Sequence, residues 1–151
     1  MNSITLQEAI EKYHFSRNKF CGVFPYDMIP TNIFKPCSII INTDPSYLPG
    51  KHWVAISIDS KGNCNYFDSF GEPPNKYKII HFLRKNCLKK LFYNKSMLQN
   101  IFSDTCGHFC AVFLVFMNKG YKFSDFINLF SKTNTYYNDS LIKYLFKKIF
   151  N

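Results

Sequence analysis

The stretch HWVAISIDSKGNCNYFD, residues 52–68, decides the fold of this chain. Residues 53–58 form an almost uninterrupted run of apolar side chains, which is typical of a buried strand. KGN at residues 61–63 predicts a tight turn, and residues 65–68 predict the returning strand. In such a hairpin the start of one strand lies beside the end of the other, so His52 and Asp68 become cross-strand neighbours.

Helices and further strands are predicted on both sides of this hairpin. They are a helix over residues 4–15, a Gly- and Pro-rich loop over 22–36, a strand over 37–42, loops at 44–45 and 49–50, a helix over 76–92, a short strand over 97–101, and helices over 105–117, 123–130 and 138–150. Thr5 and Glu8 predict a capping box in the first helix. The order of elements indicates an α+β fold, with one small mixed sheet flanked by helices in a single domain over residues 1–151.

The composition is that of a folded domain. Hydrophobic residues make up 46% of the 151 residues and aromatic residues 19%, which excludes a disordered chain. No apolar run reaches the roughly 18 residues that a transmembrane helix needs, and the first residues lack the pattern of a secretory signal. We therefore expect an intracellular protein that is not secreted and whose six cysteines are mainly reduced.

The net charge of +9 favours polyanions such as nucleic acid. The basic residues are spread along the chain, with the densest groups at 84–90 and 143–148. Two explanations stay open: a DNA-binding surface, and the lysine bias of an AT-rich coding sequence.

Cys106 is the candidate nucleophile. It lies where a polar loop, residues 103–105, enters an apolar helix. The positive end of a helix dipole stabilises a thiolate, which is the reactive form of cysteine. Gly107 is expected to leave room for a substrate backbone to approach. Cys110 falls one turn later and is expected to face the core, and two buried core cysteines are the competing interpretation of this segment taken alone.

A nucleophilic cysteine needs a base, normally histidine, and a third group that orients the base. His52 precedes the chain's only tryptophan at the rigid mouth of a predicted strand, which makes it the candidate base. His14 and His81 lie on predicted helices without a supporting motif. His108 is too close in sequence to turn easily onto Cys106.

The hairpin also supplies the orienting acid. Asp68 ends the strand that returns beside His52, whereas Asp59 lies near the turn at the far end. Acyl transfer further needs donors for the oxyanion, and the backbone N–H of the nucleophile at the helix entry is one candidate. Gln99 and Asn100 both offer a side-chain amide upstream, and alternation along a strand would put them on opposite faces. The residue types alone do not decide between these two amides.

Four motifs in order resemble the adenovirus protease (adenain) family. They are GKHW at residues 50–53, YFDSFG at 66–71, the one-residue motif Gln99, and CGHFC at 106–110. The family's pattern is a His-Trp pair, an acid inside an aromatic-acid-x-Phe-Gly motif, a Gln, and Cys-Gly-x-Phe-Cys. FCGVF at 20–24 and CSIIINT at 37–43 extend the likeness upstream, so that it covers roughly residues 17–117.

The resemblance implies a papain-like arrangement reached by a different chain order. In it His52 is the general base, Asp68 orients that base and Cys106 is the nucleophile. It also implies Gln99, rather than Asn100, as the side-chain donor to the oxyanion. The implied function is that of a cysteine endopeptidase from a virus or virus-like mobile element. It would cleave precursor and capsid-associated proteins after glycine, in Gly-x-Gly or Gly-Gly sequences, during virion maturation.

Members of this family are activated by a short viral peptide, held partly by a disulfide, and by DNA. The resemblance therefore implies both cofactors here, and it implies no metal and no membrane partner. Cys87 lies near the position expected for the peptide-linked cysteine, and the +9 charge suits DNA. The expected enzyme is a monomer located in the virion and the host nucleus or cytoplasm.

The chain departs from the family pattern in two ways. It has little sequence after the nucleophile helix, and it carries Asp68 where the family commonly has Glu, although either carboxylate can orient a histidine. Two other functions stay open. Related ubiquitin-like-protein proteases use the same residue types, so the chain could instead remove ubiquitin-like modifiers from host proteins. The third hypothesis is a basic DNA-binding protein on an inactivated protease fold, against which the intact set of site residues argues.

Overall fold

The computed structural model describes residues 1–48 and 51–151, so the predicted loop at 49–50 lies outside the described residues. The helices are α1 Ser3–Glu11, α2 Tyr77–Asn86, α3 Cys106–Asn118, α4 Phe123–Ile127 and α5 Thr135–Phe150, with a short 3₁₀ helix at Tyr26–Met28. The strands are β1 Lys19–Pro25, β2 Cys37–Asn42, β3 Trp53–Ile58, β4 Cys64–Phe67 and β5 Leu91–Tyr93.

The strands form one mixed sheet in the order β1-β2-β3-β4-β5. The central pairs β2–β3 and β3–β4 are antiparallel, and the outer pairs β1–β2 and β4–β5 are parallel. The predicted α+β class, with a small mixed sheet flanked by helices, is confirmed. Within the described part of the chain, no helix combines the length and the apolar character that crossing a bilayer requires.

The central strands β2 and β3 are buried on both faces, because their side chains alternate between two apolar clusters, one on each side of the sheet. Ile40 and Ala55 pack on the face that α3 covers, where Phe67 stacks on Phe113 with ring centroids 5.0 Å apart. Ile39 packs on the opposite face, which α2 covers. A strand that is buried on both faces reads as a continuous apolar run, which explains why β3 carries almost no polar residues.

The loop predicted over 22–36 is wrong in its first part, because β1 runs through Lys19–Pro25 and pairs with β2. A β-bulge interrupts this pairing between Phe20 and Gly22. Gly22 has a φ of +136°, which residues with a Cβ rarely adopt. Gly22 therefore supplies the unusual φ of a β-bulge in an edge strand and does not mark a loop.

Several helix predictions are wrong at their ends: the helix predicted over 4–15 ends at Glu11, the one over 123–130 ends at Ile127, and the one over 138–150 begins at Thr135. The helix predicted over 76–92 stops at Asn86, because residues 91–93 pair with β4 as the edge strand β5. The capping box of α1 is also displaced by one turn. The side chain of Asn2 accepts from the backbone N–H of Thr5 at 2.9 Å, and the Thr5 hydroxyl accepts from the Asn2 N–H at 3.1 Å.

The short strand predicted over 97–101 does not form. The backbone N–H groups of Leu98 and Gln99 both donate to the carbonyl of Ser69, at 2.8 and 3.0 Å. Two successive donors on one acceptor are incompatible with a strand ladder, in which successive residues alternate in direction. This segment is therefore an irregular loop that lies against the loop after β4.

The close approach of these two loops depends on the absence of a side chain at Gly71. Its φ is +73°, and a Cβ there would lie 2.6 Å from the backbone carbon of Ser96. Gly120 has a similar φ of +89°, but its added Cβ would meet only the flexible guanidinium of Arg17, at 2.6 Å. We expect urea titrations to show that Gly71→Ala lowers the free energy of unfolding by about 3 kcal/mol and Gly120→Ala by about 1 kcal/mol. Equal losses in the two variants would contradict the close approach.

Candidate active site

The pairing of β3 with β4 sets two side chains against each other. His52 directly precedes β3, and Asp68 directly follows β4, in a register that pairs Ala55 with Phe67. Nε2 of His52 and Oδ1 of Asp68 are 2.7 Å apart. The structure therefore brings these two predicted site residues into direct contact.

Asp68 is held by several hydrogen bonds besides the one to His52. Its Oδ1 also accepts from the backbone N–H of Phe70 at 2.8 Å. Its own backbone N–H donates to the side-chain oxygen of Asn94 at 3.1 Å, and the Asn94 amide donates back to the Asp68 carbonyl. Only 5% of Asp68 is exposed, so the carboxylate keeps one orientation towards the imidazole.

Burial and charge act in opposite directions on His52. Burial lowers the pKa of the imidazole, but the hydrogen bond to Asp68 and the neighbouring Cys106 raise this pKa more strongly, to about 9. The ring of Phe70 stacks on the imidazole with centroids 4.6 Å apart and restricts its rotation. Nε2 is hydrogen-bonded to Asp68, and Nδ1 is buried without a hydrogen-bond partner among the described residues. Nδ1 is therefore the nitrogen left to exchange a proton.

Cys106 lies beside this histidine. It is the first residue of α3, and only 3% of it is exposed. Its sulfur is 4.0 Å from the carbonyl oxygen of Lys51, the residue before His52, and its proximity contributes to the raised pKa of His52. The first N–H groups of a helix have no partner within the helix, so α3 directs free donors and the positive end of its dipole towards the sulfur. The candidate nucleophile therefore lies at the positive end of the α3 dipole.

Gly107 packs inward, so the expectation that it leaves room for a substrate backbone is wrong. A Cβ at this position would meet the sulfur of Met1 at 3.1 Å and the ring of Trp53 at 3.5 Å. The absence of a side chain lets the start of α3 pack closely on the tryptophan, whose ring N–H donates to the hydroxyl of Ser3 at 3.3 Å. Cys110 is fully buried, as expected, and its thiol donates to the Trp53 carbonyl at 3.3 Å.

Gln99 is buried near the start of α3, and its amide is fixed at both ends. Nε2 donates to the carbonyl of Ser103 at 3.0 Å, and Oε1 accepts from the hydroxyl of Ser69. Because a carbonyl only accepts, the nitrogen end must face Ser103, and one of its two N–H bonds remains for another acceptor. Asn100 is directed elsewhere, since its amide donates to the hydroxyl of Thr135 in α5 at 3.3 Å.

Helix α5 holds the loop that leads into α3. Asp139 accepts from the hydroxyl of Thr105 at 2.8 Å and from the backbone N–H of Asn100 at 3.4 Å. Asn138 donates to the carbonyl of Leu98 at 3.1 Å. All of these residues are buried. The contacts fix both neighbours of the candidate amide donor and the residue that precedes the candidate nucleophile.

The residues that support the site carried little sequence signal. Ser69 lies inside the YFDSFG motif, so the motif itself pointed to it. Asn94 lies 26 residues from Asp68, and Asp139 lies 34 residues from Thr105. No local pattern links partners at such separations, and only the fold reveals them.

Cys87 is not part of this site. It lies after α2, against the sheet face opposite α3, and its thiol donates to the carbonyl of Lys90 at 3.3 Å. His108 turns towards α5, where its ring packs edge-on against Phe146 with centroids 4.7 Å apart. Among residues 1–48 and 51–151, no group of three or more His, Cys, Asp or Glu side chains is arranged to hold a metal ion.

A thiol at the start of a buried helix, facing an imidazole at the mouth of a mixed sheet, is the arrangement of a cysteine protease. The sequence model of the adenovirus endoprotease family matches residues 20–144, and the chain belongs to that family. The resemblance carried by the four sequence motifs is therefore confirmed.

Curated relatives of this chain include several viral proteases. The chain is 48% identical over 46 residues to a cysteine protease of African swine fever virus, a match that covers 26% of this chain and 17% of the relative. It is 30% identical over 112 residues to a putative thiol protease of Acanthamoeba polyphaga mimivirus, covering 68% and 37%. It is 31% identical over 88 residues to the protease of bovine adenovirus C serotype 10, covering 50% and 45%. These matches span less than half the length of each relative.

Solved structures share the fold at low sequence identity. The crystal structure of an African swine fever virus protease aligns with a TM-score of 0.56 and 18% identity, over 84% of this chain and 60% of that one. The central domain of an uncharacterized Legionella pneumophila protein aligns with a TM-score of 0.55 and 13% identity, over 98% and 94%. At these identities the likeness concerns the fold alone.

The His52–Asp68 pair makes stability depend on pH. Because the pKa of His52 is raised from its usual 6.5 to about 9, the folded chain binds this proton more tightly than the unfolded chain does. The stabilisation is complete below about pH 6.5 and is lost as the pH rises through about 9. In urea titrations we expect Asp68→Asn to lower the free energy of unfolding by up to about 3 kcal/mol at pH 6, and by much less at pH 10. A difference from wild type that does not change with pH would contradict this linkage.

Proposed function

We propose that this chain is a cysteine endopeptidase in which Cys106 is the nucleophile, His52 the base and Asp68 the residue that orients the base. The observation that carries the proposal is the 2.7 Å contact between Asp68 and Nε2 of His52, which leaves Nδ1 buried and unpaired among the described residues. A histidine held in this way has one nitrogen committed to its orientation and one free for the thiol. That division of roles is what nucleophilic catalysis by cysteine requires.

Acylation starts with transfer of the Cys106 proton to Nδ1 of His52. The raised pKa of His52 favours the imidazolium, and the sulfur lies at the positive end of the α3 dipole. The sulfur adds to the scissile carbonyl carbon, and the tetrahedral intermediate collapses when the imidazolium protonates the leaving amine. The C–N bond breaks and a thioester remains. Water, deprotonated by Nδ1, then hydrolyses the thioester and regenerates the thiol.

We assign two donors to the oxyanion of the intermediate. One is the backbone N–H of Cys106, which has no partner within α3 because it is the first residue of the helix. The other is the uncommitted N–H of the Gln99 amide. The hydroxyl of Ser69 holds the oxygen end of that amide, so the donor is oriented before substrate arrives. Donors fixed in advance stabilise the developing charge most strongly.

We expect cleavage after glycine, in Gly-x-Gly or Gly-Gly sequences of viral precursor and capsid-associated proteins, during virion maturation. The burial of Cys106 and His52 supports a substrate with small side chains. Cys106 is 3% exposed and the His52 side chain 17%, so the scissile bond must reach a sulfur that lies almost below the surface. A glycine backbone, which lacks a Cβ, approaches such a sulfur more closely than any other residue does.

The alternative is removal of ubiquitin-like modifiers from host proteins. Several African swine fever virus relatives, 46% identical over 46 residues, are named SUMO-1 cysteine proteases. The catalytic chemistry is the same for both functions, and a modifier with a C-terminal Gly-Gly would also suit a sulfur that is almost fully buried. A ubiquitin-like reporter that ends in Gly-Gly therefore separates the two: cleavage of that reporter, without cleavage of the Gly-x-Gly peptide, favours the alternative.

A short viral peptide and DNA are the expected activators. β5 is a three-residue strand at the edge of the sheet, and an edge strand can accept a further strand from a peptide. Cys87 is half-buried and lies four residues before β5, which suits a disulfide with such a peptide. The net charge of +9 supports DNA as the second activator. We expect a monomer that acts in the virion and the host nucleus or cytoplasm.

Cleavage of a fluorogenic Gly-x-Gly peptide tests the proposal, with and without DNA and peptides from viral precursor proteins. Cys106→Ala should lower the rate at least about 10⁴-fold, because it removes the attacking sulfur. Cys110→Ala is the matched control, since it removes a buried thiol one turn along the same helix, and it should keep most of the activity.

A Cys106→Ala variant that cleaves as fast as wild type would overturn the proposal. Failure of the wild-type chain on both the peptide and the ubiquitin-like reporter under every condition, together with tight DNA binding, would favour the inactivated, basic DNA-binding protein instead.

Asp139 is expected to position the Gln99 loop without taking part in the chemistry. Asp139→Ala leaves the Thr105 hydroxyl without its acceptor, so we expect kcat to fall about tenfold while KM changes less than about twofold. Asp139→Asn keeps an acceptor oxygen and should recover most of kcat. Ile142→Val, which shortens a buried apolar side chain on the same helix and removes no hydrogen bond to the loop, is the stability control. An equal loss of kcat in this control would contradict the positioning role.

A further inference from the structure

Two cysteine sulfur atoms lie close together on the sheet face opposite α3. Cys21 sits at the β-bulge in β1, and Cys37 is the first residue of β2. Both thiols are free, and their sulfur atoms are 2.7 Å apart. Cys37 is fully buried and Cys21 is half-buried, so one member of the pair is reachable from solvent.

The bulge explains why the two thiols meet. Lys19 pairs with Cys37 and Phe20 pairs with Ser38, and Cys21 is the extra residue that has no partner in the ladder. An extra residue changes the face to which the following side chains point, and it brings this sulfur to the face on which Cys37 lies. Both cysteines pack with the apolar cluster under α2, away from the cluster that contains the catalytic helix.

The two thiols are chemically unequal. The hydrogen bond with Cys37, aided by the nearby ammonium of Lys19, lowers the pKa of Cys21 to about 7 although burial opposes this change. The same contact, together with burial, raises the pKa of Cys37. Near neutral pH, a large fraction of Cys21 is therefore thiolate, whereas Cys37 keeps its proton. These are the properties of an attacking and a resolving thiol.

We propose that Cys21 and Cys37 form a dithiol that peroxide oxidises reversibly to a disulfide, at a modification site separate from the catalytic cysteine. The Cys21 sulfur attacks one oxygen of hydrogen peroxide, the O–O bond breaks, and hydroxide leaves. The sulfenic acid so formed is attacked by the Cys37 sulfur, and its oxygen leaves with the Cys37 proton as water. With the proton first released by Cys21, two thiols and one peroxide give one disulfide and two waters, and a dithiol reductant reverses the reaction.

Proximity favours this bond over the others that the cysteines allow. The 2.7 Å separation is only about 0.7 Å longer than a sulfur–sulfur bond, so oxidation needs little backbone movement. The bridge would join the edge strand β1 to β2 and close the loop over residues 21–37, which includes the 3₁₀ helix. Restricting this loop in the unfolded chain should raise the midpoint of thermal unfolding by about 5 °C.

Peptide mapping under non-reducing conditions tests the site in the full chain. Cys106→Ala is the background, because it keeps the catalytic thiol out of the reaction and makes the outcome independent of proteolysis. After exposure to a few equivalents of hydrogen peroxide at pH 7, we expect one cross-linked peptide pair joining Cys21 to Cys37, two hydrogens lighter than the reduced pair. Dithiothreitol should reverse the link, and the oxidised chain should melt at the higher temperature.

Serine variants identify the two roles. Cys37→Ser should abolish the link and increase trapping of a Cys21 sulfenic acid by dimedone at least about tenfold, because the resolving thiol is missing. Cys21→Ser should abolish both products. Cys64→Ser, which removes another buried thiol near Cys37, should leave the Cys21–Cys37 link intact. A link from Cys37 to Cys64, or no link to Cys21 at peroxide doses that oxidise other thiols of the chain, would overturn the proposal.

Discussion

The antiparallel register of β3 and β4 is the constraint on which the site depends. The register that pairs Ala55 with Phe67 buries the phenylalanine against α3 and places the next residue, Asp68, beside His52. A slip of one residue would turn Phe67 to the opposite face and carry the carboxylate away from the imidazole. The packing of Phe67 in the apolar core and the contact between His52 and Asp68 therefore require the same strand register.

A network of buried polar groups fixes the rest of the site. Ser69, Asn94 and Asp139 each join segments that are far apart in sequence; Ser69 and Asn94 lie in irregular segments, and Asp139 lies in α5. Such networks hold a loop firmly only when their members are satisfied. Their density around the candidate oxyanion donor explains how an irregular loop can hold an amide in one orientation.

Two buried side-chain nitrogens lack a hydrogen-bond partner among the described residues, namely Nδ1 of His52 and Nδ1 of His108. An unsatisfied buried group costs about 1–3 kcal/mol, so each calls for a reason. For His52 the proposed catalytic role supplies the reason, because a base must keep one nitrogen free for the thiol and the leaving amine. For His108 nothing in the structure supplies a reason.

Local sequence patterns predicted the elements whose residues are almost all apolar. β2, β3 and α3 carry continuous apolar runs, and the hairpin turn alone was enough to bring His52 and Asp68 together. The edge strands β1 and β5 were missed, because each owes its strand structure to a partner elsewhere in the chain. The supporting network was missed for the same reason: polar contacts across 26 to 40 residues leave no periodic signal.

The most direct test of the site is the rate at which iodoacetamide alkylates Cys106 near neutral pH, with Cys21 in the same sample as an internal reference. If His52 and Cys106 form one proton-exchanging pair, His52→Ala should slow alkylation of Cys106 at least about tenfold and leave the Cys21 rate unchanged. Alkylation of Cys106 at the same rate with and without the imidazole would show that the two residues do not act together, and the catalytic site described above would be wrong.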